Sequence, residues 1–186
     1  MIWDENTEDI RVVRCDAKAR MVQQSLDACR DERRPYVFLT PTMSIAPLQQ
    51  ILVPVSMLEE EVYKAEICTY LARKTGARII LLRANDYGSH ARQNTQRIIS
   101  HIQTVAERTG EIITYEEMVG KKDSFHLNLE ASTRKDIAHQ LLLLTASREY
   151  GLDDWLFGPP ERYAILHSSV PVMLINPRAD LFSLCD

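Results

Sequence analysis

The sequence predicts an α/β protein in which a parallel sheet carries helices on both faces. Short apolar runs such as Ile51–Val55 and Leu141–Thr145 are typical of strands that a parallel sheet buries on both sides. Amphipathic helical patterns separate these runs, and this alternation indicates βαβ units with right-handed crossovers. With 186 residues, of which 45% are hydrophobic and 26% charged, the chain can form one domain with a buried core, or one such domain with an added lobe.

The first 46 residues form a separate N-terminal segment in this interpretation. A strand is expected at 11–14, an amphipathic helix from Asp16 to Glu32 and a second strand at 36–39. This β-α-β order is the same as that of residues 111–145, so we interpret residues 1–46 as half of an internal repeat.

The main domain, residues 47–178, is expected to begin at the strand Ile51–Val55. Ser56 follows this strand, and Glu59 stands three residues later, which is the spacing of a capping box. The helix after it is expected to end at Gly76. Its predicted core face is formed by Leu58, Val62, Ala65, Thr69 and Ala72.

The remaining elements continue the alternation to a tail at 179–186. The stretch 120–130 is polar and is predicted to be a loop. Strands are expected at 78–84, 111–118, 141–145 and 172–176, and helices at 89–109, 131–140 and 160–167.

Composition excludes several classes of protein. A formal charge of −4 and a sequence pI near 5.8 argue against nucleic-acid binding. No apolar run reaches the roughly 18 residues that span a bilayer, and the N-terminus lacks the layout of a signal peptide. The cysteines are far apart in sequence and contain no CxxC, so we expect reduced thiols, no metal site and a cytoplasmic location. They are Cys15, Cys29, Cys68 and Cys185.

Three segments, taken in order, resemble the universal stress protein family over about residues 49–177. Ile51–Val55 looks like the first strand of that family. Leu71–Leu82 looks like the end of its first helix and its second strand, and Ser169–Ile175 looks like its closing proline and strand. The spacing from Gly158 to Pro171 also agrees with the family's last helix.

The resemblance implies an open parallel sheet of five strands with helices on both faces. It also implies a homodimer formed through the last strand, with the candidate interface Val172, Met173, Leu174, Ile175 and Asn176. Because the family has tandem forms, residues 11–42 resemble the second half of a preceding, truncated domain.

Nucleotide-binding members of the family carry the motif G-x-x-G-x9-G-[S/T] after the fourth strand. Glycines there let backbone N–H groups approach the phosphates. Aligned through Gly151 and Gly158, the motif falls on Thr145, Arg148, Gly158 and Pro159, so two of its three glycines are missing. Pro159 offers neither a hydroxyl nor an N–H. The aspartate that contacts adenosine in such members is Ser56 here.

Another anion could still bind at this loop. Arg148 could pair with a phosphate or carboxylate, although the simpler interpretation is an exposed loop arginine. Trp155 and Phe157 are interpreted as filling the emptied pocket rather than stacking on adenine. The candidate anion-binding residues are Val55, Ser56, Thr145, Ser147, Arg148, Gly151 and Gly158.

Three functions follow from these patterns. The first is a non-catalytic sensing or interaction module of the universal stress type, without ATP or another cofactor and with an unidentified protein partner. No Ser, Cys or Lys has a recognisable base partner, which argues against an enzyme. The second is a nucleotide-binding, slowly ATP-hydrolysing protein with an altered loop. The third is a cytoplasmic regulatory domain related to the tail of an ion antiporter, an analogy of fold alone.

Overall fold

The structure is a computed structural model. It describes residues 9–85, 88–108, 115–120, 124–135, 138–147 and 158–177. The predicted tail at 179–186 lies outside these ranges.

Seven strands form one sheet in the order β1-β2-β7-β6-β3-β4-β5. Every neighbouring pair is parallel except β2 and β7, which are antiparallel. The strands are β1 (Arg11–Arg14), β2 (Tyr36–Leu39), β3 (Gln50–Val55), β4 (Arg78–Arg83), β5 (Tyr115–Val119), β6 (Leu141–Thr145) and β7 (Val172–Ile175).

Helices cover both faces of this sheet. A short 3-10 helix (Glu59–Tyr63) precedes α2, and α2 and α3 pack on one face. On the other face lie α1, α4 and α5. The α-helices of the described residues are α1 (Ala19–Cys29), α2 (Lys64–Thr75), α3 (Ser89–Arg108), α4 (Ser124–Thr133) and α5 (Pro160–His167).

The predicted fold class is therefore confirmed, with a difference in strand number. The sheet has seven strands rather than five because β1 and β2 join it along β7. Strand β2 is as buried as any central strand: all four of its residues lie in the core. The N-terminal segment is thus continuous with the main sheet.

The predicted helix at 131–140 and the predicted loop at 120–130 were wrong. Helix α4 instead spans Ser124–Thr133. Leu127 and Ala131, one turn apart, are fully buried against the sheet. Packing of these two side chains, rather than a strong amphipathic pattern, accounts for the helix, which is why periodicity misplaced it.

The predicted capping box at Ser56 is also wrong. Residues 59–63 form a 3-10 helix whose N-cap is Leu58, without a side-chain cap. The Ser56 hydroxyl accepts a bond from the Leu58 N–H at 3.4 Å and donates to Glu61 rather than to Glu59. Leu58, which was assigned to the core face, is 42% exposed.

Cys68 on α2 lies in the core, and burial raises the pKa of its thiol to about 12. The unfolded thiol ionises near pH 9, so the unfolded state loses this proton first as the pH rises. The stability contributed by the neutral thiol is present below pH 9 and should be lost between pH 9 and 12. Urea unfolding from pH 8 to 11 should show this fall, and a Cys68→Ala variant should show a shallower one.

Candidate functional site

The sheet reverses its winding between β3 and β6, and this creates a crevice at their carboxyl ends. From β3 the chain proceeds to β4 and β5 on one side, and then to β6 and β7 on the other. Open α/β sheets bind ligands at such switch points. Pairing between β3 and β6 is confined to Ile51↔Leu141 and Leu52↔Leu142, and both strands continue three residues further towards the crevice.

On the β3 side, a buried ionic network occupies the crevice. Lys64 is fully buried, and its Nζ donates to the Pro54 carbonyl oxygen at 2.6 Å and forms an ion pair with Glu61. The Ser56 hydroxyl donates to Oε1 of Glu61 at 3.2 Å. Lys64 directly follows the 3-10 helix and is three residues after Glu61, a spacing at which side chains lie above one another in that geometry.

This network satisfies its own charge. The ammonium group of Lys64 faces a carboxylate and a carbonyl oxygen, so it is not available to an incoming anion. Ser56 stands where the resemblance places an adenosine-contacting aspartate, and it is 2% exposed with its hydroxyl bound to Glu61. Among the described residues on the β3 side, Ser56, Glu61 and Lys64 thus bind one another or the backbone.

On the β6 side, a second buried carboxylate lies at the start of α5. Glu161 is 3% exposed, and its Oε1 accepts the backbone N–H of Ser147 at 3.0 Å. Its Oε2 accepts the Ser147 hydroxyl at 2.9 Å. The N-terminal turn of a helix favours a negative charge, and here that charge is supplied by the protein itself.

The turn into α5 is shaped by Gly158 and Pro159. Gly158 has φ of +82°, a backbone conformation that strains any residue with a Cβ, and the Arg162 guanidinium packs against its Cα. Pro159 is the N-cap of α5 and makes no side-chain cap, as predicted from its chemistry.

The remaining predicted anion-site residues are only partly brought together. Val55 is buried at the end of β3, and its carbonyl accepts the N–H of Ala84 at 2.9 Å. The Thr145 hydroxyl is buried at the end of β6 and has no hydrogen-bond partner among the described residues. Arg148 and Gly151, with Trp155 and Phe157, lie outside the described residues.

The candidate dimer interface, Val172–Asn176, lies in the interior of the sheet. Strand β7 pairs with β6 on one edge and with β2 on the other. An open β7 edge, as the resemblance implied, therefore does not exist in this structure, because the chain's own N-terminal segment fills it. Asn176 caps α1: its amide donates to the carbonyls of Cys29, Arg30 and Glu32.

Two surface cavities are formed by the described residues. One, of about 470 Å³, is formed by the 3-10 helix and α3, with Glu59, Arg97 and His101 in its lining. The other, of about 640 Å³, lies at the carboxyl ends of β1 and β2 beside Arg14 and Cys15. Within the described ranges, no cluster of three or more His, Cys, Asp or Glu could hold a metal ion. The same ranges contain no helix of the length and apolarity that crossing a membrane requires.

Several solved structures with this architecture are described as universal stress proteins. The crystal structure of one from Archaeoglobus fulgidus superposes with a TM-score of 0.68 at 14% identity, covering 95% of this chain and 63% of that one. The chain has the universal stress protein fold. A universal stress protein in complex with cAMP superposes with a TM-score of 0.56 at 14% identity, covering 72% of this chain and 100% of its own.

The likeness to universal stress proteins is one of structure. No protein-family model matches the sequence, and no curated protein matches it either. The chain spans less than two thirds of the length of the Archaeoglobus protein. The longer neighbour covers nearly all of this chain, whereas the shorter, cAMP-bound one covers 72% of it.

Sequence reasoning missed the buried charged residues near the carboxyl ends of β3 and β6. Glu61, Lys64 and Glu161 looked like ordinary first-turn or surface charges on helices. Their burial depends on contacts that only the folded chain creates, such as that between Ser147 and Glu161, fourteen positions apart. The one available signal of burial was the position of Lys64 next to Ala65, a residue of the α2 core.

Proposed function

We propose that this chain is a non-catalytic sensing or interaction module of the universal stress type that does not bind ATP in the family's usual way. The observation that carries the proposal is Glu161. Its carboxylate accepts both the backbone N–H and the hydroxyl of Ser147 at the carboxyl end of β6.

A backbone N–H beside a helix N-terminus is the group that holds phosphate in nucleotide-binding loops. Here the backbone N–H of Ser147 already donates to the Glu161 carboxylate. A phosphate at the same point would have to displace Glu161, leaving its carboxylate buried without this partner, at a cost of several kcal/mol. It would also meet like charge in a crevice of low dielectric.

The β3 side supports the same proposal independently. Ser56 has neither a carboxylate nor a free hydroxyl for a ribose, because its hydroxyl is bound to Glu61. Lys64 is the fully buried cation on this side, and it is paired with Glu61 and with the Pro54 carbonyl. Together with the contact between Glu161 and Ser147, these contacts support the proposal at both ends of the nucleotide site that the resemblance implies.

The proposal predicts that nucleotides do not stabilise the chain. A ligand present at one hundred times its Kd raises the free energy of unfolding by about 2.7 kcal/mol, or about 5–10 °C in Tm for a chain of this size. We expect a change below about 1 °C with 5 mM Mg-ATP. The same is expected with 5 mM cAMP, which is tested because one structural neighbour is bound to it.

A Glu161→Gln variant is the matched comparison, because it keeps the shape of the side chain and removes the charge. A saturable rise in Tm of the unaltered chain contradicts the proposal, whatever nucleotide binding the variant gains. Release of phosphate from ATP above the buffer rate would contradict the non-catalytic part and favour the slow ATPase.

A further inference from the structure

Three sulfur-containing side chains line one cavity, of about 640 Å³, at the carboxyl ends of β1 and β2. Cys15 directly follows β1, Met21 lies in the first turn of α1, and Met43 lies in the turn after β2. Among the described residues, all that line this cavity fall within 14–45. The cavity is therefore a feature of the N-terminal segment.

The end of β2 holds Cys15 and Met43 on the same side of the sheet. Cys15 packs against the core cluster on the α1 face, and Met43 belongs to that cluster. The N–H of Cys15 donates to the Leu39 carbonyl at 3.2 Å. The next N–H along β2, that of Thr40, donates to the sulfur of Met43 at 3.4 Å. One peptide group thus binds both the Cys15 backbone and the Met43 thioether.

Helix α1 brings Met21 to the same place. Ser25, one turn further along α1, also lines the cavity, and its hydroxyl forms a hydrogen bond with the Cys15 side chain. Residues four apart lie on one face of a helix, so Met21 shares the face that contacts Cys15. Met21 is 41% exposed and unbranched, so its thioether can turn towards the cavity at little cost.

We propose that Cys15, Met21 and Met43 form a binding site for Cu(I), with their three sulfur atoms as its ligands. Thiolate and thioether ligands favour this soft ion over harder divalent ions. Binding needs no oxidant or reductant: a Cu–S bond replaces the S–H bond of Cys15, the proton leaves to solvent, and copper remains Cu(I). Each thioether donates a lone pair, and Met43 has a second one for the Thr40 N–H.

The charge of these ligands matches a monovalent ion. One thiolate and two neutral thioethers carry a single negative charge, which Cu(I) cancels. Arg14 and Asp16, the charged residues of the described lining, offset each other. A neutral complex costs little to hold in a half-buried cavity, whereas a divalent ion would leave a net positive charge there. Zn²⁺ also needs three or four thiolate, imidazole or carboxylate ligands, and the described lining offers only Cys15 and Asp16.

The metal-free site holds a neutral thiol. Burial raises the pKa of Cys15 above its ordinary value, against an opposing hydrogen bond with Ser25, so the side chain is protonated at pH 7. The sequence-based expectation of no metal site rested on cysteine and histidine spacing and did not include methionine. The described residues contain no metal-binding cluster of His, Cys, Asp or Glu, but thioether ligands are outside that set.

Competition with a chromophoric Cu(I) chelator, in the absence of oxygen, tests the site in the full chain. The double variant Met21→Leu/Met43→Leu keeps the volume of both side chains and removes both thioethers. We expect it to bind Cu(I) more weakly by over about tenfold, since losing even a group behind the ligands commonly costs that much. Cys15→Ser should weaken binding further. An equal concentration of Zn²⁺ should not displace the copper.

Met57→Leu is the matched control, because Met57 is similarly exposed, at 45%, but follows β3. Its affinity for Cu(I) should equal that of the unaltered chain. An unchanged affinity in either the double methionine variant or Cys15→Ser would overturn the proposal, and so would displacement by Zn²⁺. The outcome is distinct from that of the nucleotide experiments, which report on Ser147 and Glu161.

A second measurement uses the unaltered chain and so does not depend on the folding of variants. With ¹³C-methyl-labelled methionine, Ag(I), a soft ion that is stable in air, should shift the methyl resonances of Met21 and Met43 along one saturation curve. The Met57 resonance should stay in place. If Ag(I) leaves the Met21 and Met43 resonances unmoved, or moves Met57 equally, the proposal is overturned.

Discussion

Replacing Lys64 with alanine is expected to lower the free energy of unfolding by about 3–5 kcal/mol, because it leaves the buried Glu61 carboxylate without its cation. The Pro54 carbonyl also loses a hydrogen bond inside the core. Urea unfolding followed by circular dichroism measures the change, with the slope of the transition checked for a constant value.

The double variant Lys64→Met/Glu61→Gln separates a lost charge pair from lost volume. Methionine keeps the bulk of the lysine stem, and glutamine can still accept the Ser56 hydroxyl. We expect it to recover most of the stability. Arg97→Ala, which breaks the exposed pair with Glu59, should cost less than about 1 kcal/mol. A Lys64→Ala cost as small as that of Arg97→Ala would contradict the description of the buried network.

Phe38→Ala should destabilise the whole chain by about 3–5 kcal/mol, the cost of removing a large buried aromatic side chain. Phe38 is fully buried in β2, lies edge-on to Tyr36 at 5.9 Å between ring centroids, and belongs to the core shared with β6 and β7. Because β2 is interior, the loss should appear in one cooperative transition.

Fluorescence and circular dichroism should therefore report the same shifted midpoint for Phe38→Ala. Met21→Ala in α1, whose residue is 41% exposed, provides a control in the same unit and should change stability by less than about 1 kcal/mol. A transition at lower urea that involves only part of the signal would show instead that the N-terminal segment unfolds independently of the main sheet.

The parts of the fold that follow from local pattern were predictable. Runs of apolar, β-forming residues at 51–55 and 141–145 are typical of strands that a sheet buries on both faces, and both runs are strands. Gly76 ends α2 with φ of +71°, which glycine tolerates best. Helix α4 escaped prediction because two buried side chains, rather than a periodic face, hold it in place.

The side-chain contacts at the crevice were less predictable, because they join residues that only the tertiary structure brings together. The loss of glycine at Thr145 and the proline at Pro159 were visible in the sequence. That Glu161 would bind Ser147 was not, since a glutamate in a first turn is usually a solvated charge.

The backbone amide of Ser147 reports most directly on whether the protein's own carboxylate closes the nucleotide site. Its resonance in a ¹H–¹⁵N correlation spectrum can be followed while Mg-ATP is added to 5 mM. We expect no saturable shift in the unaltered chain, and a clear shift on Glu161→Gln substitution without nucleotide, because the charge that accepts this N–H is removed. A saturable shift of the Ser147 amide with ATP in the unaltered chain would contradict the account.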